Sequence, residues 1–111
     1  MINKKDIVRV NQEIGETGRF HNESSMEYAL SMIKHKKSWL YELAYIARSL
    51  LTDHAFIDGN KRTALAIILT YFEGKEEYDK EMIAKIILQI SKKQEKDVNK
   101  IMRMIKSAIL Y

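Results

Sequence analysis

Three features of the sequence predict an all-α fold. There is no proline, there are only four glycines in 111 residues, and Leu, Ile, Ala, Lys and Glu dominate with apolar positions at helical spacing. A β-rich fold needs more turn chemistry than this. The expected architecture is a compact six-helix bundle with a buried central helix and a short flap loop or hairpin.

The first helix is expected at about 4–13, with Ile7 and Val10, and Ile14 beyond them, on one face. "IGETGRFHNES", residues 14–24, has two glycines and several polar residues and reads as an irregular loop or short hairpin. Ser24 to Glu27 has the spacing of a capping box, so a second helix starts near 25 and runs to about Lys34. "KHKK", 34–37, reads as a charged helix end, with a polyanion patch as the rival reading. Ser38 is placed to cap a helix at 39–52, striped by Trp39, Leu40, Leu43, Ala44, Ala47, Leu50 and Leu51. Asn60 or Asp58 then caps a helix at about 61–73, stopped by Gly74. Its middle is apolar on every side, which marks it as the central helix; a buried strand is the rival for so short a run. Asp79 caps a helix at about 80–92, with Met82, Ile83, Ile86, Ile87 and Ile90 inward. The last, at about 97–110, carries Val98, Ile101, Met102, Ile105 and Ile109.

Length and composition fit one domain over 1–111 with a sizeable core. The absence of cysteine excludes disulfides and thiolate metal sites and fits a reducing cytoplasm. The N-terminus has no long apolar stretch of a signal peptide. The longest apolar run, "ALAIILTYF" at 64–72, is about half of the roughly 20 residues a membrane span needs. A net charge of +4 favours anionic ligands such as nucleotides but does not by itself indicate nucleic-acid binding, which is not expected.

One stretch stands out from this helical background: "HAFIDGNKRTA", residues 54–64. His54 follows a helix and is the natural general base near neutral pH. Phe56 is apolar in a polar loop and pins it to the core. Asp58 is the kind of oxygen ligand Mg²⁺ takes when it also holds phosphates. Gly59 and Asn60 permit a tight turn into a helix N-terminus, where free N–H groups and the dipole attract anions. Lys61 and Arg62 put two cations at the end the dipole disfavours, which makes sense if a multiply charged anion sits there. Taken singly, His54 reads as a helix cap, Asp58 to Asn60 as an ordinary turn and the two cations as surface charge. Together they form the parts of a transferase acting on a nucleotide phosphate.

The same stretch resembles the Fic/Doc signature His-x-Phe-x-Asp/Glu-Gly-Asn-x-Arg, with His54, Phe56, Asp58, Gly59, Asn60 and Arg62 at all six fixed positions. AMP-transferring members usually have Gly where this chain has Lys61 and a second Arg where it has Leu65. Both departures resemble the Doc branch, whose motif ends Asn-Lys-Arg-Thr-Ala.

That resemblance implies a Doc-like toxin of a toxin–antitoxin module. Such a protein transfers the terminal phosphate of ATP, with Mg²⁺, to a threonine or serine hydroxyl of a target such as elongation factor Tu. It implies His54 as base, Asp58 as metal ligand, and Gly59, Asn60, Lys61 and Arg62 as phosphate holders. It also implies a target-clamping flap at 15–22, with Thr17, Arg19 and Phe20 as contacts. The inhibitory signature Ser/Thr-x-x-x-Glu-Gly/Asn has only a near match, Ser91 to Glu95 followed by Lys96, so inhibition is expected in trans from an antitoxin. The alternatives are a Fic-type AMP-transferase and a non-enzymatic basic helical adaptor.

Overall fold

A computed structural model describes residues 2–35 and 38–110. It contains six helices: α1 (Lys4–Glu13), α2 (Glu23–Ile33), α3 (Trp39–Leu51), α4 (Asn60–Phe72), α5 (Lys80–Lys93) and α6 (Val98–Lys106). Among the described residues there is no strand, only two isolated antiparallel bridges, Phe20 with Phe56 and Tyr78 with Ile109. No described helix is long and apolar enough to cross a membrane. The basic turn at 34–37 lies partly outside the described residues, at 36 and 37.

Each helix starts where a short polar side chain or an unusual backbone lets it. Asn3 and Asp6 form a reciprocal capping box on α1. Asp79 accepts from the Met82 N–H at the start of α5, and Asp97 caps α6. The start of α2 differs from expectation. Asn22, not Ser24, is the cap, its side chain accepting from the Ser25 N–H at 3.2 Å. Glu27 does not close a capping box; it reaches Lys4 on α1, as does Glu23 at 2.7 Å. Ser38 sits at the start of α3 but makes no side-chain cap bond.

The central helix is α3, not the helix expected. Eight of its thirteen residues are buried, against five of thirteen in α4. It packs against α2, α4, α5 and α6, while α1 covers the other side of α4. The amphipathic stripe of α3 was legible, but its polar flank is also covered, by α2 and α6. In α4, Thr70 is exposed and Leu65, Ala66 and Leu69 are only half-buried. Fully buried Leu and Ile side chains such as Leu43, Leu50, Ile67 and Ile68 hold the bundle together, each worth about 2–5 kcal/mol against truncation to Ala.

The last helix stops at Lys106, short of the expected 110. The backbone tightens at Ser107, whose N–H is shared by the Arg103 and Met104 carbonyls. The chain then turns back along the α4–α5 loop. The Asp79 N–H donates to Ala108 at 2.9 Å and the Leu110 N–H to Glu77 at 2.8 Å. Leaving the helix lets both Ala108 and Ile109 bury.

Candidate active site

The loop between α3 and α4 is built to hold one exposed side chain in place. His54 adopts a left-handed backbone (φ +52°) just past α3, and the next N–H, of Ala55, reaches back to the Ser49 carbonyl at 3.1 Å. That conformation is uncommon for a non-glycine residue. Ala55 and Phe56 are buried immediately after it, so the strained residue is fixed from both sides.

The preceding loop packs on this turn. The His21 and Asn22 N–H groups both donate to the Ala55 carbonyl, at 2.8 and 2.9 Å, and the Ile57 N–H donates to Arg19 at 3.1 Å. Phe20 stacks on Phe56, with centroids 4.6 Å apart and planes 14° apart. Phe20, expected as a target contact, is thus turned inward and anchors the loop to the motif. Thr17 and Arg19 remain exposed.

The entry into α4 departs from expectation in a useful way. Neither Asp58 nor Asn60 caps it. Gly59 is the N-cap, in the left-handed region (φ +78°), and no side chain caps the first turn. Asn60 instead clips the loop: its Oδ1 accepts from the Phe56 N–H and its Nδ2 donates to the Phe56 carbonyl, both at 2.9 Å. Both polar atoms of its side chain are therefore committed to the loop. The uncapped first turn keeps its N–H groups available to an anion, and no acidic residue stands in it.

Two residues missed in the sequence complete the site. Asn11, 1% exposed, lies between α1, the flap and the motif. It donates to the Asp58 carbonyl (3.0 Å) and the Thr63 hydroxyl (3.1 Å) and accepts from the Gly18 N–H (2.9 Å). Glu16, in the flap, crosses Gly59 and ion-pairs with Arg62, which also donates to the Ile14 carbonyl at 3.1 Å. A Cβ on Gly59 would sit 2.6 Å from the Glu16 Cγ, so a side chain there would have to displace Glu16 as well as bear the left-handed φ. Asn11 falls four residues after Ile7 on the buried face of α1, which is a readable signal. Nothing local marks Glu16.

A cavity of about 440 Å³ opens at this point, lined by His54, Asp58, Lys61, Arg62, Glu16 and Ser91 among others. His54, Asp58 and Lys61 are exposed to it, and Lys61 makes no ion pair with a described residue. The near-match inhibitory Glu95 is engaged elsewhere: it pairs with Lys100 at 3.0 Å and accepts from the Lys96 and Asp97 N–H groups. Those bonds hold its carboxyl below the usual range, the Lys100 contact first.

This surface offers an acid/base group, a free carboxylate and a cationic helix start in one open cavity. The model of the Fic/DOC family matches residues 9–72, more than half of the chain, from α1 through α4. The chain belongs to the Fic/DOC family. No curated protein matches it, and no solved structure does. Fic/DOC proteins generally transfer nucleotide groups to proteins, so this chain is an enzyme of that broad kind. They use nucleotide substrates, ATP among them, and usually Mg²⁺. The site's donors suit that ion. Among the described residues no three His, Asp or Glu side chains cluster to form a protein cage. Mg²⁺ bound through phosphates needs only one or two carboxylates, and Asp58 presents one that no described side chain engages.

Proposed function

We propose that this Fic/DOC protein is a Doc-like kinase toxin, transferring the γ-phosphate of ATP to a serine or threonine hydroxyl of a target protein. The observation that carries the reading is Lys61. Its unpaired ammonium stands beside an uncapped helix start, in the position where AMP-transferring relatives keep glycine. Leu65, one turn later, gives no second arginine to clamp the far end of the nucleotide.

In this reading the nucleotide phosphates lie over the N–H groups of residues 59–61, between Lys61 and Arg62. Asp58 would hold Mg²⁺, which supplies charge neutralisation on the phosphates. His54 takes the proton of the target hydroxyl. The hydroxyl oxygen bonds to the γ-phosphorus as the bond from that phosphorus to the β,γ-bridging oxygen breaks, and ADP leaves. The flap edge at Thr17 and Arg19 presents the target segment, a threonine of elongation factor Tu being the acceptor the Doc resemblance suggests. An antitoxin encoded separately would inhibit, since Glu95 is committed to Lys100.

Incubation with ATP labelled at the γ or the α phosphate, and a lysate as acceptor, tests this. γ-Label on a protein supports the kinase. α-Label makes the chain an AMP-transferase, and no protein label leaves the adaptor.

A further inference from the structure

A second cavity, of about 580 Å³, lies at the other end of α4, lined by Ile2, Asp6, Val10, Trp39, Glu42, Thr70, Tyr71 and Lys75. Its chemistry is the reverse of the first. Trp39 and Tyr71 supply two aromatic faces. Glu42 and Asp6 supply two carboxylates. Glu42 accepts a hydrogen bond from the Tyr71 hydroxyl at 3.3 Å and ion-pairs with no described residue. Asp6 is engaged locally, by the Asn3 N–H and by Arg9 at 4.0 Å.

A cation already occupies these faces. The Lys75 ammonium stands 5.5 Å from the Trp39 ring centroid and 5.2 Å from that of Tyr71, within the range of attraction between a cation and a ring face. It ion-pairs with no described carboxylate. Lys75 follows Gly74 (φ +76°) in the turn after α4, and its side chain is exposed. Swinging it aside breaks no buried contact and moves no helix. The cavity is far larger than an ammonium head, and its wall continues along apolar Ile2 and Val10, which suits an aliphatic stem.

We infer that this cavity binds a lysine or arginine side chain of another polypeptide, and that Lys75 is the chain's own stand-in, displaced when the partner's cation enters. An aromatic pair backed by carboxylates is the surface that recognises a desolvated cation and rejects an anion. The site is separate from the nucleotide cavity, about 15 Å away along α4 from Lys61 to Tyr71. It does not depend on which group the enzyme transfers.

Trp39 is the only tryptophan, so its fluorescence reports on this cavity alone. The probes are a capped Ala-Arg-Ala peptide, its Ala-Gln-Ala counterpart and spermidine. Lys75→Ala removes the internal competitor, and the exposed position keeps the fold intact, which circular dichroism checks. The arginine peptide should give a saturable Trp39 change, with about tenfold tighter apparent affinity in Lys75→Ala than in wild type, because the open site no longer has to be freed first. Glu42→Gln in that background should weaken it about fivefold. In wild type, the Lys75 side-chain methylene resonances, shifted by the rings, should move toward ordinary values as peptide is added. The glutamine peptide should do nothing. An equal response to the glutamine peptide overturns the inference, as does Lys75→Ala binding no tighter than wild type. Spermidine binding without peptide binding overturns the assignment to a polypeptide.

Discussion

The two ends of α4 invite comparison because one helix carries opposite chemistry at its two termini. At the N-terminal end, cations line a cavity and a carboxylate of the chain, Glu16, lies on one of them. At the C-terminal end, aromatic rings and carboxylates line a cavity, and a lysine of the chain lies on the rings. The difference lies in how each end is held. The first rests on the buried Asn11, the Asn60 clip and a stacked Phe pair. The second has ring-edge packing of Trp39 on Phe72 and one half-buried Tyr71–Glu42 bond. A site that must position a reacting atom needs the first kind of support. One that only recognises charge manages with the second.

The largest effect should come from the N-terminal end. Replacing His54 with Asn keeps a residue that tolerates φ +52°, so the fold should survive, but it removes the base. Transfer to protein should fall by about 10²- to 10⁴-fold, measured with labelled ATP, with melting behaviour unchanged. Normal transfer by a folded His54→Asn would remove His54 from the chemistry and leave only a turn.

Next comes the support itself. Asn11→Ala leaves the Thr63 hydroxyl, the Gly18 N–H and the Asp58 carbonyl without their shared partner. Two of these sit at the joint between flap and motif. The expected cost is about 2–3 kcal/mol, read from the urea midpoint. A cost below about 1 kcal/mol would mean that water satisfies those groups and that the N-terminal end is no better anchored than the other.

The contrast between ends explains what could be read beforehand. Helices α1, α3 and α5 were legible because their apolar positions keep the 3.6-residue period, and at α5 because Asp79 marks and caps the start. The centrality of α3 was not, since period does not say which helix the others surround. His54, Phe56, Asp58, Gly59 and Lys61 could be read as a site because unusual residue types crowd one short loop. His54, Asp58, Gly59 and Lys61 line one cavity, while Phe56 is buried against Phe20 and anchors the loop. Glu16 and Asn11 could not be read as partners of residues some 46 to 52 positions away, a pairing only the fold creates. The cation cavity draws on α1, α3, α4 and the turn after α4, with no motif at any of them.

A smaller effect is expected where the chain covers its own cation. Arg62 is mostly exposed, so its pair with Glu16 adds little to stability. Glu16→Gln should change the unfolding free energy by less than about 1 kcal/mol and tighten Mg·ATP binding by up to about fivefold, by calorimetry. Tighter binding would make Glu16 a competitor of the nucleotide phosphates. Weaker binding would instead make it a positioner of Arg62, and the likeness between Glu16 and Lys75 as self-occupants would fail.

The smallest effect is spectroscopic and belongs to the C-terminal end. Burial, and then the neighbouring Glu42 carboxylate, push the Tyr71 hydroxyl well above the ordinary tyrosine range, with a lesser contribution from Asp6. The sign follows directly. A raised pKa in the folded state means that folding favours the neutral phenol. The stabilisation is complete below the unfolded value near about 10 and is lost as pH climbs from there toward the folded value. Absorbance titration should therefore show one of the six tyrosines still protonated at about pH 11. Glu42→Gln should lower that transition only part of the way, because burial, the larger cause, remains. A full return to about 10 would mean that the carboxylate and not burial sets it. The C-terminal cavity would then be wetter than its lining suggests, and less able to strip water from an incoming cation.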